Sequence, residues 1–466
     1  MRRESARQTE IGEWDGRHET GGGMSSTVET IVDNESVLLT EELVGEAAAG
    51  GGSEPPRRHG AFSALEVPAF ARFWWTLVLS LTGTWVRITA MGVLVYDLTD
   101  NEFYLGLISF VQAVPQLIVG PLAGAFLDRV DRRKVLIGVQ ITTILSMAVV
   151  TALIATDTIQ FWHLVIISLV IGVAVGFDWP ARLSLAPLLV DRSRLQSAVA
   201  INAAAFNGAR VLGPSIAGWM IGAVGIGVCF GFTSLSAVPF LIVLLTLSVS
   251  SIRLTVSERP PAETIERESP LKTLLEGYRY IWRTPKLRGL LTVDIVPIAL
   301  GSSYATMAPA IAKDVLDLGD GGLGWLLTAN GIGSLLGTLA VAFMAGMRGR
   351  GRLVIWMIGA FAITVVVFGL SSSVWVSLPA ILLLGLGFSM YGTTNDTLVQ
   401  TIIDEDYRGR VVSVQTMLWG LTPIGGLLSG ILAELINVQW AVAISGILVL
   451  LYVPYLWFFT PVRHIE

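Results

Sequence analysis

The sequence predicts an all-α membrane protein with twelve transmembrane helices in two six-helix halves. Three observations lead there. Only 14% of the 466 residues are charged and 53% are hydrophobic, with a mean hydropathy of +0.67, whereas a soluble domain carries about 25% charged residues. Apolar stretches long enough for a bilayer, about 20 residues each, recur along the chain between polar breaks. The basic residues crowd into alternate breaks, the pattern left when they are retained on the cytoplasmic side. A net charge of −5 and a pI near 5.5 offer no basic face, so no nucleic-acid partner is expected. Cys229 is the single cysteine, and His18, His59, His163 and His464 are scattered, so no disulfide or metal site is expected. No phosphate-binding loop and no nucleophile–base set is visible, so neither catalysis nor a cofactor is expected.

Residues 1–60 are rich in Glu, Gly and Ser, with "GGG" at 21–23 and "AAAGGGSEPP" at 47–56. They lack the apolar run of a signal peptide and read as a disordered cytoplasmic tail, with Met24 as an alternative start. A first half, 61–250, holds spans at about 73–98, 104–127, 134–156, 161–183, 197–221 and 226–250. Residues 251–288 are polar, contain "ERPPAETIERESP" and read as a cytoplasmic central loop. A second half, 289–466, holds spans at about 289–312, 322–346, 353–371, 374–399, 411–436 and 439–460. With the N-terminus inside, Arg57, Arg58, Arg72, the 129–134 cluster, Arg192, Arg194, Arg253, Arg288, Arg348, Arg350, Arg352, Arg408, Arg410 and Arg463 all fall on the cytoplasmic side. The outer loops keep only Lys313. The expected placement is therefore multi-pass in the plasma (inner) membrane, with both termini cytoplasmic.

The two halves repeat. At an offset of 218 residues, Gly83 falls on Gly301, Ala90 on Ala308, Leu105-Gly106 on Leu323-Gly324, Arg132 on Arg350 and Lys134 on Arg352. An offset held across two spans and a basic loop points to duplication, a usual plan in transporters.

Between spans two and three, six of the seven residues from Asp128 to Lys134 are charged. With Gly124 they fit "G-x-x-x-D-R-x-x-R-[RK]" through Asp128, Arg129, Arg132 and Arg133. Together with twelve spans and a long central loop, this resembles the major facilitator superfamily, although Asp131 stands where that pattern usually has glycine. A closer resemblance is to the branch that contains the enterobactin exporter and transmembrane secretion effector proteins. It is carried by "DWPARLSLAPLLVDRSRLQSAVAINAAAFNGARVLGPSIAG" at 178–218, "PLKTLLEGYRYIWRTP" at 270–285 and "YRGRVVSVQTMLWGLTPIGGLLSG" at 407–430. The resemblance implies that the 124–134 segment closes the inner side, with Asp128 meeting an arginine and the N-terminal end of span eleven. The alternative is a plain topology signal. It further implies that Gly208, Gly213, Pro214 and Gly218 form the span-five motif that accompanies exporters, against a simple packing motif. Ala217 stands where that motif often has a second glycine.

Charge inside a bilayer is costly and marks a cavity, a partner or a pathway. Arg87 in span one is either a cavity cation that binds an anionic substrate or a carboxylate, or a structural cation. Asp178 and Arg182 in span four are four residues apart and can pair along one helix face. Pro180 between them is expected to loosen the helix. Arg210 lies in span five. Asp294 in span seven and Asp396 in span ten are the candidate proton carriers, with Arg87 the expected opposing cation. Hydration near the cytoplasmic end is the alternative for Asp294, and a polar cavity wall is the alternative for Asp396. The expected activity is secondary export of a small amphipathic molecule by a monomer in the bilayer, driven by a proton gradient. A transporter-like sensor or assembly protein is the alternative.

Overall fold

A computed structural model describes residues 62–127, 130–247, 270–344, 349–404 and 407–465, all within one unit that spans His59–Glu466. The described residues are helical and contain no strand. Before residue 248 they form α1 (Pro68–Thr99), α2 (Glu102–Leu127), α3 (Arg132–Ala155), α4 (Phe161–Leu185), α5 (Leu195–Val224) and α6 (Ile226–Thr246). From residue 270 onward come α7 (Pro270–Arg283), α8 (Pro285–Val296), α9 (Ser303–Ala310), α10 (Gly319–Phe343), α11 (Arg350–Leu370), α12 (Val374–Ile402), α13 (Arg408–Leu418), α14 (Thr422–Leu435) and α15 (Val438–Phe459). Two π-helical turns, Pro297–Gly301 and Ile311–Val315, continue α8 and α9 into one stretch, Pro285–Val315.

Ten helical stretches among the described residues are long and apolar enough to cross a membrane, and Trp419–Leu435 is a shorter apolar helix. The helix α5 has 30 residues but does not join the ten. Asn202, Asn207 and Arg210 dilute its apolar character.

Local chemistry sets the helix ends. Pro68 and Pro285 open α1 and α8, where a missing N–H costs nothing. Asp131 caps α3 by accepting from the Arg133 N–H. Gly225, at φ 91°, separates α5 from α6 in a conformation that side chains resist.

The expected polar loop at 251–288 is not a loop throughout. Leu287 and Leu290 are buried, so α8 starts at Pro285, and before it α7 forms an amphipathic helix. Nor does Pro180 interrupt α4, which runs through it to Leu185. The tail at 1–60 and residues 248–269 lie outside the described residues.

Packing divides the core in three. One cluster, with Phe70, Phe73, Leu136 and Phe240, comes wholly from helices before residue 248. A second, with Leu290, Val354, Ile358 and Tyr391, comes wholly from those after residue 270. A third joins both segments through Met91, Leu164, Met307 and Phe361. Within the first segment α1 packs on α5 and α6, α2 on α4, and α3 on α4 and α6. Within the second, α10 packs on α12, α11 on α12 and α15, and α14 on α15. Two main crossings join the segments, α2 on α14 and α5 on α10. Both rely on glycine: a side chain at Gly106 would collide with Gly426, and one at Gly218 would collide with Gly324. Small residues let helices approach closely where lipid offers no hydrophobic drive for association.

Candidate functional site

Four helices bring a polar cluster together. α8 supplies Asp294, 5% exposed, and α12 supplies Asn395 and Asp396. α13 supplies Gln415, and α5 of the other segment supplies Arg210. The Asn395 amide donates to Asp294 Oδ2 at 2.9 Å and to the Leu290 carbonyl at 3.2 Å. Asn395 Oδ1 is buried without a partner among the described residues. Because Asn395 and Asp396 are consecutive on a helix, they point in different directions: Asn395 toward α8, Asp396 into an exposed setting. Gln415 Nε2 donates to Asp396 Oδ1 at 2.7 Å. Arg210 interacts electrostatically with Asp396 and with Tyr304. The Tyr304 hydroxyl accepts from Asn330 at 3.2 Å. The result is one buried and one exposed carboxylate, each held by its own neutral amide, with Asp396 in electrostatic reach of a guanidinium from the other segment. Such a set can hold a proton and hand it on, because a carboxylate's proton affinity follows its burial and the cation beside it.

Arg87 does not oppose these carboxylates, contrary to expectation. It is buried between α1 and α2, and its Nη1 donates to Gln112 Oε1 at 3.0 Å. The cation that reaches Asp396 is Arg210 on α5, which packs on α10 of the second segment, while Arg87 bonds Gln112 on α2 of its own. Gln112 has a counterpart. Its backbone carbonyl lies where a side chain on Gly172 would stand, and the Asn330 carbonyl lies likewise against Gly385.

Asp178 and Arg182 form the expected intrahelical pair at 2.8 Å, and the guanidinium lies 5.0 Å from the Phe240 ring centre. The described contacts do not bring this pair to the Asp294 cluster. Asp128 and Arg129 lie outside the described residues, so the expected contact with span eleven does too. α2 ends at Leu127, three residues beyond Gly124. Arg132 donates to the Ser184 carbonyl at 3.2 Å, and Arg133 donates to those of Leu244 and Leu245. These arginines therefore satisfy carbonyls at the C-terminal ends of α4 and α6, where cations are favoured. In the span-five motif, Gly213 lies against Trp85 of α1 and Gly218 against Gly324, Gly208 has no close neighbour, and Pro214 sits inside α5.

Sequence reasoning on charge passed over the neutral amides Gln112, Asn330, Asn395 and Gln415. A signal was present for two of them, since Gln112 and Asn330 are 218 residues apart. A second set was also missed. The Tyr96 hydroxyl donates to Asp314, and Lys313 pairs with Asp97 at 3.2 Å and Asp100 at 3.8 Å. These contacts join the C-terminal end of α1 to the far end of the Pro285–Val315 stretch.

A family model described as "Transmembrane secretion effector" matches residues 59–466. The staphyloferrin A transporter of Staphylococcus aureus is 26% identical over 375 residues, covering 79% of this chain and 90% of that protein. The multidrug efflux pump Tap of Mycolicibacterium fortuitum is 26% identical over 359 residues, covering 76% of this chain and 86% of the other. Among solved structures, the nucleoside transporter NupG, in a mutant form, superposes with a TM-score of 0.64 at 12% identity, covering 84% of this chain and 100% of that one. This last likeness is one of fold.

Proposed function

Because the chain belongs to the transmembrane secretion effector family of the major facilitator superfamily, we propose that it exports a small amphipathic molecule, a drug or a siderophore, by proton-driven alternating access. The proposed architecture is twelve spans in two halves: the ten apolar stretches plus α5 and α13–α14. Three pairings support a two-fold relation between the halves. The Gly106·Gly426 crossing is mirrored by Gly324·Gly218, with Gly106 and Gly324 at the repeat offset. Gln112 against Gly172 is mirrored by Asn330 against Gly385. Tyr96 and Asp314, which touch, are themselves 218 residues apart. The termini are proposed to be cytoplasmic, on the one-sided arginine distribution.

One observation supports the coupling: Asp396 of one half interacts electrostatically with Arg210 of the other. Any movement of the halves changes the distance between that guanidinium and Asp396. In this proposal Asp396 takes a proton when Arg210 withdraws and gives it up when Arg210 returns, with Asp294 held beside it through Asn395, its neighbour in the chain. The direction, export, is supported by the span-five motif and by the efflux pump among the relatives.

The test is accumulation of ethidium, and of an anionic fluorophore, in cells overproducing the protein. Lower accumulation that a protonophore reverses, and that Asp396→Asn abolishes at equal membrane level, is the expected result. Asp294→Asn is expected to impair it as well. If no dye responds, the sensor or assembly reading gains. If dye export survives both substitutions and still follows the proton gradient, the carrier lies elsewhere, and Asp178 is next.

A further inference from the structure

The helix α7 presents three distinct faces, and the function proposed above uses none of them. One face docks on the chain. Gly277 lies against Arg410, Ile281 is buried, and the Tyr280 ring stacks on Tyr407 with centres 4.2 Å apart and planes 3° apart. The Tyr280 hydroxyl donates to Asp404 at 2.9 Å, and Glu276 pairs with Arg410 at 2.8 Å. A second face is apolar and exposed. Leu275, Tyr278 and Trp282, spaced as one helical stripe, are 67%, 55% and 58% exposed, and the last two rings stack on each other. A third stripe, beside the second, holds Arg279 and Arg283, both exposed, and exposed Lys286 follows in the first turn of α8. No described carboxylate pairs with any of these three cations.

We propose that α7 lies in the plane of the membrane surface, with Leu275, Tyr278 and Trp282 dipping into the headgroup layer and Arg279, Arg283 and Lys286 binding anionic phospholipid. Two features point to lipid as the occupant. Height is the first. Thr284 alone separates α7 from α8, and Arg288 in the second turn of α8 lies over the Trp282 ring at 5.2 Å. Trp282 is therefore held at the level where a membrane-spanning stretch begins, the level that Trp and Tyr favour. Chemistry is the second. An apolar stripe flanked by unpaired cations is what a helix needs to lie on an anionic surface, where each Lys or Arg adds roughly a fivefold enrichment. Because α7 is held by Asp404, Tyr407 and Arg410, at the entrance to the helix that carries Gln415, lipid bound there would act directly on the second segment.

The test places a nitrobenzoxadiazole fluorophore at Leu275→Cys in the full chain on a Cys229→Ser background, reconstituted in phosphatidylcholine vesicles. Nitroxide-labelled phosphatidylglycerol is then compared with nitroxide-labelled phosphatidylcholine as quencher. Stronger quenching by the anionic lipid is expected, and the preference should fall toward unity with Arg279→Gln and Arg283→Gln combined. A fluorophore at Ser372→Cys in the same background reports whether the protein is inserted and shows no such loss of preference. Equal quenching by both lipids overturns the anionic site. Absence of quenching by either means that protein covers the stripe, and overturns the proposal altogether. Neither outcome depends on whether any substrate is exported.

Discussion

Asp131 stands where the superfamily pattern usually has glycine, and its side chain accepts from the Arg133 N–H at 2.9 Å to cap α3. The departure therefore exchanges one good helix-starting residue for another rather than breaking the turn. An N-cap aspartate replaced by alanine typically loses about 1 kcal/mol, and by glycine only a few tenths. Asp131→Ala is expected to lower the midpoint of thermal unfolding in detergent clearly more than Asp131→Gly. Equal losses would mean that the carboxylate acts on something other than α3. At this scale charge made the sequence legible: Arg87, Arg210, Asp294 and Asp396 stand out because a bilayer makes each of them expensive. Their partners were not legible. Asn395 and Gln415 carry no charge, and an amide in a span has several uses. Which arginine would face the acids was hidden as well, because that depends on how α5 crosses α10, a contact between residues far apart in the chain.

Helices were located in the sequence by apolar length, and α1 to α4, α6, α11, α12 and α15 stand close to their expected bounds. α5, at Leu195–Val224 against 197–221, stands as close, although it is not among the ten apolar stretches, and π turns lengthen Pro285–Val315 beyond the expected 289–312. The amphipathic α7 was passed over because its charge resembles a loop until the 3.6-residue period is laid on it. The span-five motif divides sharply in the structure. Gly218 has Gly324 where a side chain would go, while Gly208 has empty space. Gly218→Ala is expected to destabilise by about 1–3 kcal/mol through overpacking against the facing backbone. Gly208→Ala should instead gain up to about 1 kcal/mol, since alanine is the better helix former. Opposite shifts in melting temperature by these two substitutions are the prediction. Shifts of the same sign would show that the motif acts as a unit.

On the scale of the whole molecule, two positions test the proposed orientation of the chain. On the Cys229→Ser background, cysteine at exposed Ser372 should react with a membrane-impermeant reagent in intact cells. Cysteine at Ser257, outside the described residues, should react only after permeabilisation. The reverse pattern would invert the proposed topology and the direction of proton flow with it. The proposed repeat shows in the sequence as an offset of 218 residues; the contacts between its two copies do not. Tyr96 and Asp314 are one such contact, and in the proposed repeat they occupy the same position of the two copies. A position on a two-fold axis meets itself, so in an association of two identical half-length chains it must hold the same residue twice. Two aspartates there would repel, and two tyrosines would form only a neutral hydroxyl–hydroxyl bond, weaker than one to a carboxylate. Joining the copies in one gene lifts that obligation and lets a donor stand opposite an acceptor. Under the proposed duplication, the bond at this end of the bundle belongs to the single chain alone, since two separate identical halves could not place a tyrosine and an aspartate at one position.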